Sequence, residues 1–243
     1  MTVLTSAAEV LVATNHDPQA RSTLRRTQVD GWAGHGAVAW RTSDGRVSYL
    51  MTHGPPPAIA LLVEELLPEL HDRVRVTLPR GTVPLLPAWV AMAAPIDWDL
   101  RWIDTPPPPQ PAEDRVVDVD DSEVADLLKA WSPTASTSPG DPAARGWVGI
   151  RGSQGLVACA ADTSAATGVG HLSSIAVDPA ARGQGLGAAV TAALIRRLFA
   201  QGCDLVTLGM YADNTAGRAM YDRLGMHDEH RFTSGPLQIG SRW

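Results

Sequence analysis

The chain of 243 residues is long enough for one large domain or two of ordinary size. Its formal net charge of −6 is spread evenly, with 9 basic and 11 acidic side chains in residues 1–112 and 11 and 15 in residues 113–243, so neither half carries the basic footprint of a nucleic-acid binder. The two cysteines, Cys159 and Cys203, lie in apolar runs without a CxxC partner, which argues against a zinc site or a disulfide framework and for a reduced pair.

The opening stretch MTVLTSAAEVLVATNHD has no basic residue before its short apolar patch and does not read as a signal peptide. No apolar run reaches the roughly 18 residues of a membrane span, so a cytoplasmic protein with no membrane partner is expected. Lys129 is the single lysine among 20 basic residues, a bias that hints at a GC-rich bacterial genome.

In chain order, AVAWRTS and RVSYLMT flank Asp44-Gly45 and predict a β-hairpin. After GPPP, the spacing of Ile59, Leu62, Val63, Leu66 and Leu70 predicts a helix, with proline tolerated at its start. VRVTLP and DWDLRWI read as strands around a short apolar segment holding Pro84 and Pro87. The consecutive prolines of TPPPPQP then lack amide donors and favour an extended conformation, marking a semi-rigid linker.

Beyond the linker, RVVDVDD predicts a strand and SEVADLLKAW a helix capped by Ser122 or Asp121. SPTASTSPGDPAAR is a loop by composition. GWVGIRG and GLVACAAD predict a hairpin across Ser153-Gln154, and HLSSIAV a further strand. Leu186, Val190, Leu194 and Leu198 recur at helical spacing up to Gly202. DLVTLGMYA reads as a strand, Asn214 as the cap of a second helix ending at Gly225, and the remainder as an irregular β-like tail.

The fold class expected is α/β, a mixed twisted sheet flanked by helices. Residues 1–104 form a smaller N-terminal lobe, 105–112 the linker, and 113–243 a C-terminal domain. The two halves share an element order of hairpin, helix, strand, helix, strand, which leaves an internal repeat open.

The stretch VDPAARGQGLGAAV concentrates glycines between a strand and a helix, a setting in which backbone amides and a helix N-terminus favour a phosphate. Two ligands compete for it. Gly183, Gly185 and Ala188 fit the dinucleotide pattern G-x-G-x-x-A, but Asp178 to Arg182 separate the strand from the first glycine and Asp204 begins rather than ends the next strand. Arg182, Gly185 and Gly187 equally form R-x-x-G-x-G after a strand ending in V-D-P.

That second pattern resembles the GCN5-related N-acetyltransferase family, and NTAGRAMYDRLGM is similar to its N-x-x-A-x-x-L-Y-x-x-x-G-F signature, with Gly217 and Met226 as mild departures. The resemblance is most specific over residues 171–226. It implies acetyl-coenzyme A as acyl donor, seated on Arg182, Gly183, Gln184, Gly185, Leu186, Gly187 and Ala188, with the pantetheine arm along the backbone of Ile175, Ala176 and Val177, and with Asn214 touching the coenzyme. It also implies a two-lobed arrangement with a degenerate N-terminal lobe, where HGPPPAIALL replaces the phosphate loop and its prolines remove the amides such a seat needs.

Acyl transfer to an amine needs a group facing the leaving thiolate. The resemblance assigns this to Tyr221, whose free pKa of ~10 against ~8.5 for a thiol makes complete proton transfer uphill by about 2 kcal/mol. A base for the ammonium is sought in His171, which by strict alternation shares a strand face with Ser173, Ile175 and Val177. His227, Glu229 and His230 are further candidates. The function expected is direct acetylation of a primary amine on a small molecule or peptide, without metal, by a monomer or homodimer. The alternatives are a non-catalytic acyl-coenzyme A-binding regulator and a nicotinamide-dependent oxidoreductase.

Overall fold

The computed structural model describes residues 1–25, 27–43, 48–70 and 74–240. The chain divides into two compact units, one built from residues 1–100, 211–213 and the segment from Glu229 onward, the other from residues 101–210 and 214–228.

The first unit begins with β1 (Thr2–Ser6) and α1 (Ala7–Ala13), joined by a capping box in which Ser6 Oγ accepts from the Glu9 amide at 3.3 Å and the Glu9 carboxylate accepts from the Ser6 amide at 3.0 Å. The sequence reading assigned no element here, although S-A-A-E carries that signature. Asp17 caps α2 (Pro18–Thr23), and β2 (Gln28–Gly34), β3 (Ala37–Ser43) and β4 (Ser48–His53) follow as an antiparallel series starting on β1. The two strands of the predicted hairpin are thus present, while its Asp44-Gly45 turn lies outside the described residues. α3 (Pro56–Leu66) starts on prolines and leads to β5 (Arg75–Pro79), which pairs parallel with β4. Ile59, Leu62, Val63 and Leu66 of α3 are buried on Leu50, Val76 and Leu78, while Val10 and Ala20 cover Val38 and Trp40 on the other face. Two short elements complete this run, β6 (Val90–Met92) and β7 (Ile96–Ile103).

In the second unit, β8 (Val117–Val119) leads into α4 (Asp121–Trp131). The cap is Asp120, not Ser122 or Asp121: Asp120 Oδ1 accepts from the Ser122 and Glu123 amides, and Glu123 returns to the Asp120 amide at 3.2 Å. Asp121 is engaged elsewhere, accepting from Trp147 Nε1 at 2.9 Å and the Gly140 amide at 2.8 Å. β9 (Gly146–Gly152), β10 (Gly155–Asp162) and β11 (Val169–Val177) are antiparallel neighbours, and β12 (Leu205–Tyr211) pairs parallel with β11 after the crossover helix α5 (Leu186–Ala200). α6 (Thr215–Arg223) follows. α5 covers Ile150, Ala158, Ala160, Leu172 and Leu208, and α4 covers Trp147, Cys159 and Ala161. The proline stretch is tied to α5, whose Arg196 donates to the Pro107 carbonyl at 2.5 Å and to Glu113 at 3.1 Å.

The two series have one topology. β1-β2-β3-β4-β5 and β8-β9-β10-β11-β12 each make three antiparallel pairings and then a parallel one, with a crossover helix before the last strand. The order they share is strand, one or two helices, three strands, helix, strand, not the hairpin, helix, strand, helix, strand expected from the sequence.

One expectation is overturned. The irregular tail is a 13-residue strand, β13 (His227–Ile239), pairing Phe232–Pro236 against β5 and Leu237–Ile239 against β6. A Cβ at Gly235 would lie 2.7 Å from the Ala93 carbonyl, so this glycine permits close approach of the neighbouring chain. Among the described residues no helix is long and apolar enough to cross a membrane.

Candidate active site

The site grows from an irregularity in β11. Its pairing with β10 shifts register between Ser173 and Ala176, and Ser174 between them has a φ of 50°, a positive value rare for a side chain other than glycine. The bulge reverses the alternation: Ile175 and Val177 pack toward α5 with Leu172, whereas Ala176 packs toward α4. β11 pairs with β12 from Val169 to Leu172, ahead of the bulge. Backbone of Ile175, Ala176 and Val177 therefore lies beyond the paired stretch, on the segment assigned to the pantetheine arm.

The bulge is clamped from outside. Ser174 Oγ accepts from the Thr137 amide at 2.9 Å and donates to the Thr137 carbonyl at 2.7 Å, and Ser173 Oγ donates to Thr137 Oγ1 at 2.7 Å. The loop SPTASTSPGDPAAR is thus pinned to β11. Sequence reasoning missed both Ser174 and Thr137, since a bulge leaves no mark in an alternating apolar pattern.

After β11, Asp178 accepts from the Ala180 amide at 2.8 Å and starts a single turn that delivers Arg182 to the glycine loop. Gly183 and Gly185 have φ of 78° and 76°, and a Cβ on either would meet no atom within 4 Å, so conformation and not crowding explains them. Gly187 is different: its Cβ would sit 3.2 Å from Met220 Sδ and 3.3 Å from Val177 Cγ2, which ties the start of α5 closely to β11 and α6. Leu186 is buried and anchors the first turn, Ala188 is half-buried, and Gln184 is exposed. No side chain caps this 15-residue helix and no acidic residue stands in its first turn. Its first amides are left with no intrahelical partner, and the positive end of its dipole is uncompensated. An anion is what such an end accommodates.

Asn214 caps α6, its Oδ1 accepting from the Gly217 amide at 2.9 Å. A Cβ at Gly217 would come within 2.6 Å of Asn214 Nδ2, so the glycine noted as a departure is what admits this cap. Tyr221, on the same helix, is buried in the core with Leu224 and Met226, and burial pushes its phenol up to about 12, partly opposed by the charge of Arg101. Arg101 is fully buried; it donates to the Asp222 carboxylate and to the Met226 carbonyl at 3.1 Å, with Asp228 3.6 Å from Nη1. It fixes the end of α6 that carries Tyr221. Its signal in the sequence was a charged residue at an inward position of DWDLRWI, which was passed over.

His171 is half-buried on β11, its Nδ1 2.8 Å from Thr207 Oγ1, and its amide donates to Ser164 Oγ at 2.9 Å. The face argument for it needs correction. His171 and Ser173 lie on one side, but the bulge turns Ile175 and Val177 to the other, because two residues of β11 oppose one of β10 there. Of the further candidates, His227 stacks on Trp102 at 3.9 Å, His230 Nε2 lies 2.6 Å from Asp17 Oδ2, and Glu229 is exposed. Burial pushes the Cys159 thiol up to about 12 and also raises Cys203, the reverse of an activated nucleophile. Among the described residues no group of three His, Cys, Asp or Glu is placed to hold a metal ion.

Comparison with known proteins gives the family and the fold. The family model described as Acetyltransferase (GNAT) family matches residues 99–226. The chain is 46% identical over 57 residues to the mycothiol acetyltransferase of Saccharopolyspora erythraea and 42% over 62 residues to that of Kocuria rhizophila, matches covering 24% and 26% of this chain. The chain thus spans only 19% and 20% of the length of these curated relatives. Among solved structures, a GNAT-family acetyltransferase from Novosphingobium aromaticivorans has a TM-score of 0.56 at 20% identity, covering 95% of this chain and 97% of that one. A GCN5-related N-acetyltransferase from Kribbella flavida has a TM-score of 0.51 at 22% identity, covering 95% of each chain. These two likenesses establish the fold.

Proposed function

The chain belongs to the GNAT acetyltransferase family, and from that premise we propose that it is an acetyl-coenzyme A-dependent N-acetyltransferase acting directly on a primary amine of a small molecule or peptide. The observation that carries this reading is the uncapped N-terminus of α5 behind Gly183 and Gly185, next to the bulged end of β11. The amides from Gly183 to Ala188 and the Arg182 guanidinium would hold the pyrophosphate, with Asn214 beside them. The backbone of Ile175, Ala176 and Val177 would hold the pantetheine arm, and a strand amide aimed at the thioester oxygen would stabilise the oxyanion, an effect worth about 2.7–4 kcal/mol in another enzyme. The prolines at the start of α3 supply no comparable seat, so donor binding is assigned to the C-terminal unit alone.

In the reaction the neutral amine nitrogen bonds to the thioester carbon, the C–S bond breaks, and the sulfur leaves as thiolate while the nitrogen sheds a proton. With Tyr221 at about 12, protonating a thiolate of ~8.5 would cost roughly 5 kcal/mol. Tyr221 therefore donates a hydrogen bond to the thiolate and retains its proton. The proton from nitrogen leaves through His171 or a water chain. High thiol values at Cys159 and Cys203 fit transfer without an acyl-enzyme. The acceptor of the curated relatives is not carried over, since about a fifth of their length is matched.

An acceptor screen following free thiol release from acetyl-coenzyme A tests the proposal. Turnover with at least one amine, lowered by Tyr221→Phe, is expected. Coenzyme A binding without turnover of any amine would favour the non-catalytic reading instead. A base role for His171 predicts that His171→Gln lowers kcat/KM by about 10²–10⁴-fold and alters its pH profile; an unchanged profile would remove it.

A further inference from the structure

A cavity of about 530 Å³ opens in the N-terminal unit, on the sheet face beyond the end of α2. That volume is in the range of small-molecule sites. Among the described residues its lining includes two arginines, Arg25 and Arg75, and no acidic residue. Among the described residues neither guanidinium has an ion-pair or hydrogen-bond partner, whereas Arg80, Arg101, Arg151 and Arg196 each sit on a carboxylate.

The rest of the cavity suits a flat, partly apolar body. Trp98 and the half-exposed Tyr211 present rings to it. Its floor is a hydroxyl network held by strand register: Ser234 on β13 faces Thr77 on β5, their Oγ atoms 2.9 Å apart, and Trp98 Nε1 donates to Ser234 Oγ at 2.7 Å. The indole is thereby locked in orientation by its own polar edge. Both arginines line one cleft, and an anion bound there would offer a guanidinium bidentate acceptors.

We propose that this cavity is a binding site for a small ligand with a planar apolar body and one anionic group, a carboxylate or a phosphate, the body stacking on Trp98 and the anion reaching Arg25 and Arg75. The site belongs to the N-terminal unit and stands independently of the acyl-transfer reading. It gives the lobe that lacks a phosphate loop a ligand of its own.

Calorimetric titration of the full chain tests this with indole-3-acetate, neutral indole-3-acetamide and phenyl phosphate. The two anions are expected to bind saturably and the amide at least about tenfold more weakly, tenfold corresponding to 1.4 kcal/mol. Whether the carboxylate or the phosphate binds more tightly identifies the anion, and either ranking supports the site. Arg25→Gln and Arg75→Gln should each weaken anion binding about tenfold, with unchanged circular dichroism and melting. Because both side chains are at the surface or half-exposed, folding should survive either change. Equal binding of acetate and acetamide, no binding of either anion, or full anion affinity in the double variant would overturn the proposal.

Discussion

Ser174 holds Thr137 by both main-chain groups, its Oγ accepting from the amide at 2.9 Å and donating to the carbonyl at 2.7 Å. One hydroxyl thus fixes the loop SPTASTSPGDPAAR, which we propose borders the amine acceptor, to the residue on which β11 bulges. Ser174→Ala leaves two polar groups of a buried residue unpaired, at about 1–3 kcal/mol each. A lowered melting temperature is expected, together with a raised KM for the acceptor and a smaller effect on coenzyme A affinity. Unaltered melting would show that the clamp contributes nothing.

The donor seat predicts a different pattern. Gly185 caps α5 at a φ of 76°, and Gly185→Ala must either bear about 1–2 kcal/mol of left-handed strain or turn the first amides away. Weaker coenzyme A binding by calorimetry is expected, with little change in binding of a free amine acceptor. An alanine variant with undiminished coenzyme affinity would mean that the loop conformation is not used.

Tyr221 gives a signed pH dependence. Its phenol lies at about 12 in the fold against 10.0 ordinarily, because burial penalises the phenolate. The unfolded chain releases that proton first, so the stability contribution is complete below pH 10 and is lost as pH rises toward 12, amounting to roughly 3 kcal/mol. Cys159 acts in the same direction from 9.0 to about 12. Thermal scans between pH 9 and 12 should therefore show a shallower decline in Tyr221→Phe than in the parent; parallel curves would place the phenol in water.

Thiol labelling tests the same burial. Cys159 is enclosed and Cys203 half-buried, both with raised thiols. An aromatic disulfide reagent at pH 8 should label Cys203 slowly and Cys159 only after denaturation. Rapid labelling of Cys159 in the native protein would contradict the packing beneath α4.

Much of this site was legible before any coordinates. The glycine loop, the Asn214 cap and the crossover helix each carry a local signal, in positive φ, side-chain capping and apolar spacing. The face reversal at Ser174 was not legible, because a bulge depends on the partner strand and not on the sequence of β11. Arg101 was missed because its burial is balanced by Asp222, Asp228 and the Met226 carbonyl, all more than a hundred residues away. The tail was read as β-like, but its regularity over 13 residues was not legible, because it depends on pairing with β5 and β6, more than a hundred residues earlier.

Acetyl-coenzyme A is proposed to sit on the 182–188 loop and the end of β11. Amide chemical-shift mapping of the full chain, titrated with acetyl-coenzyme A, tests it most directly. The largest shifts are predicted at Gly183, Gly185, Leu186, Gly187 and Ala188, continuing through Ile175 to Val177. Absence of binding, or shifts confined to residues outside those two segments, would contradict the account.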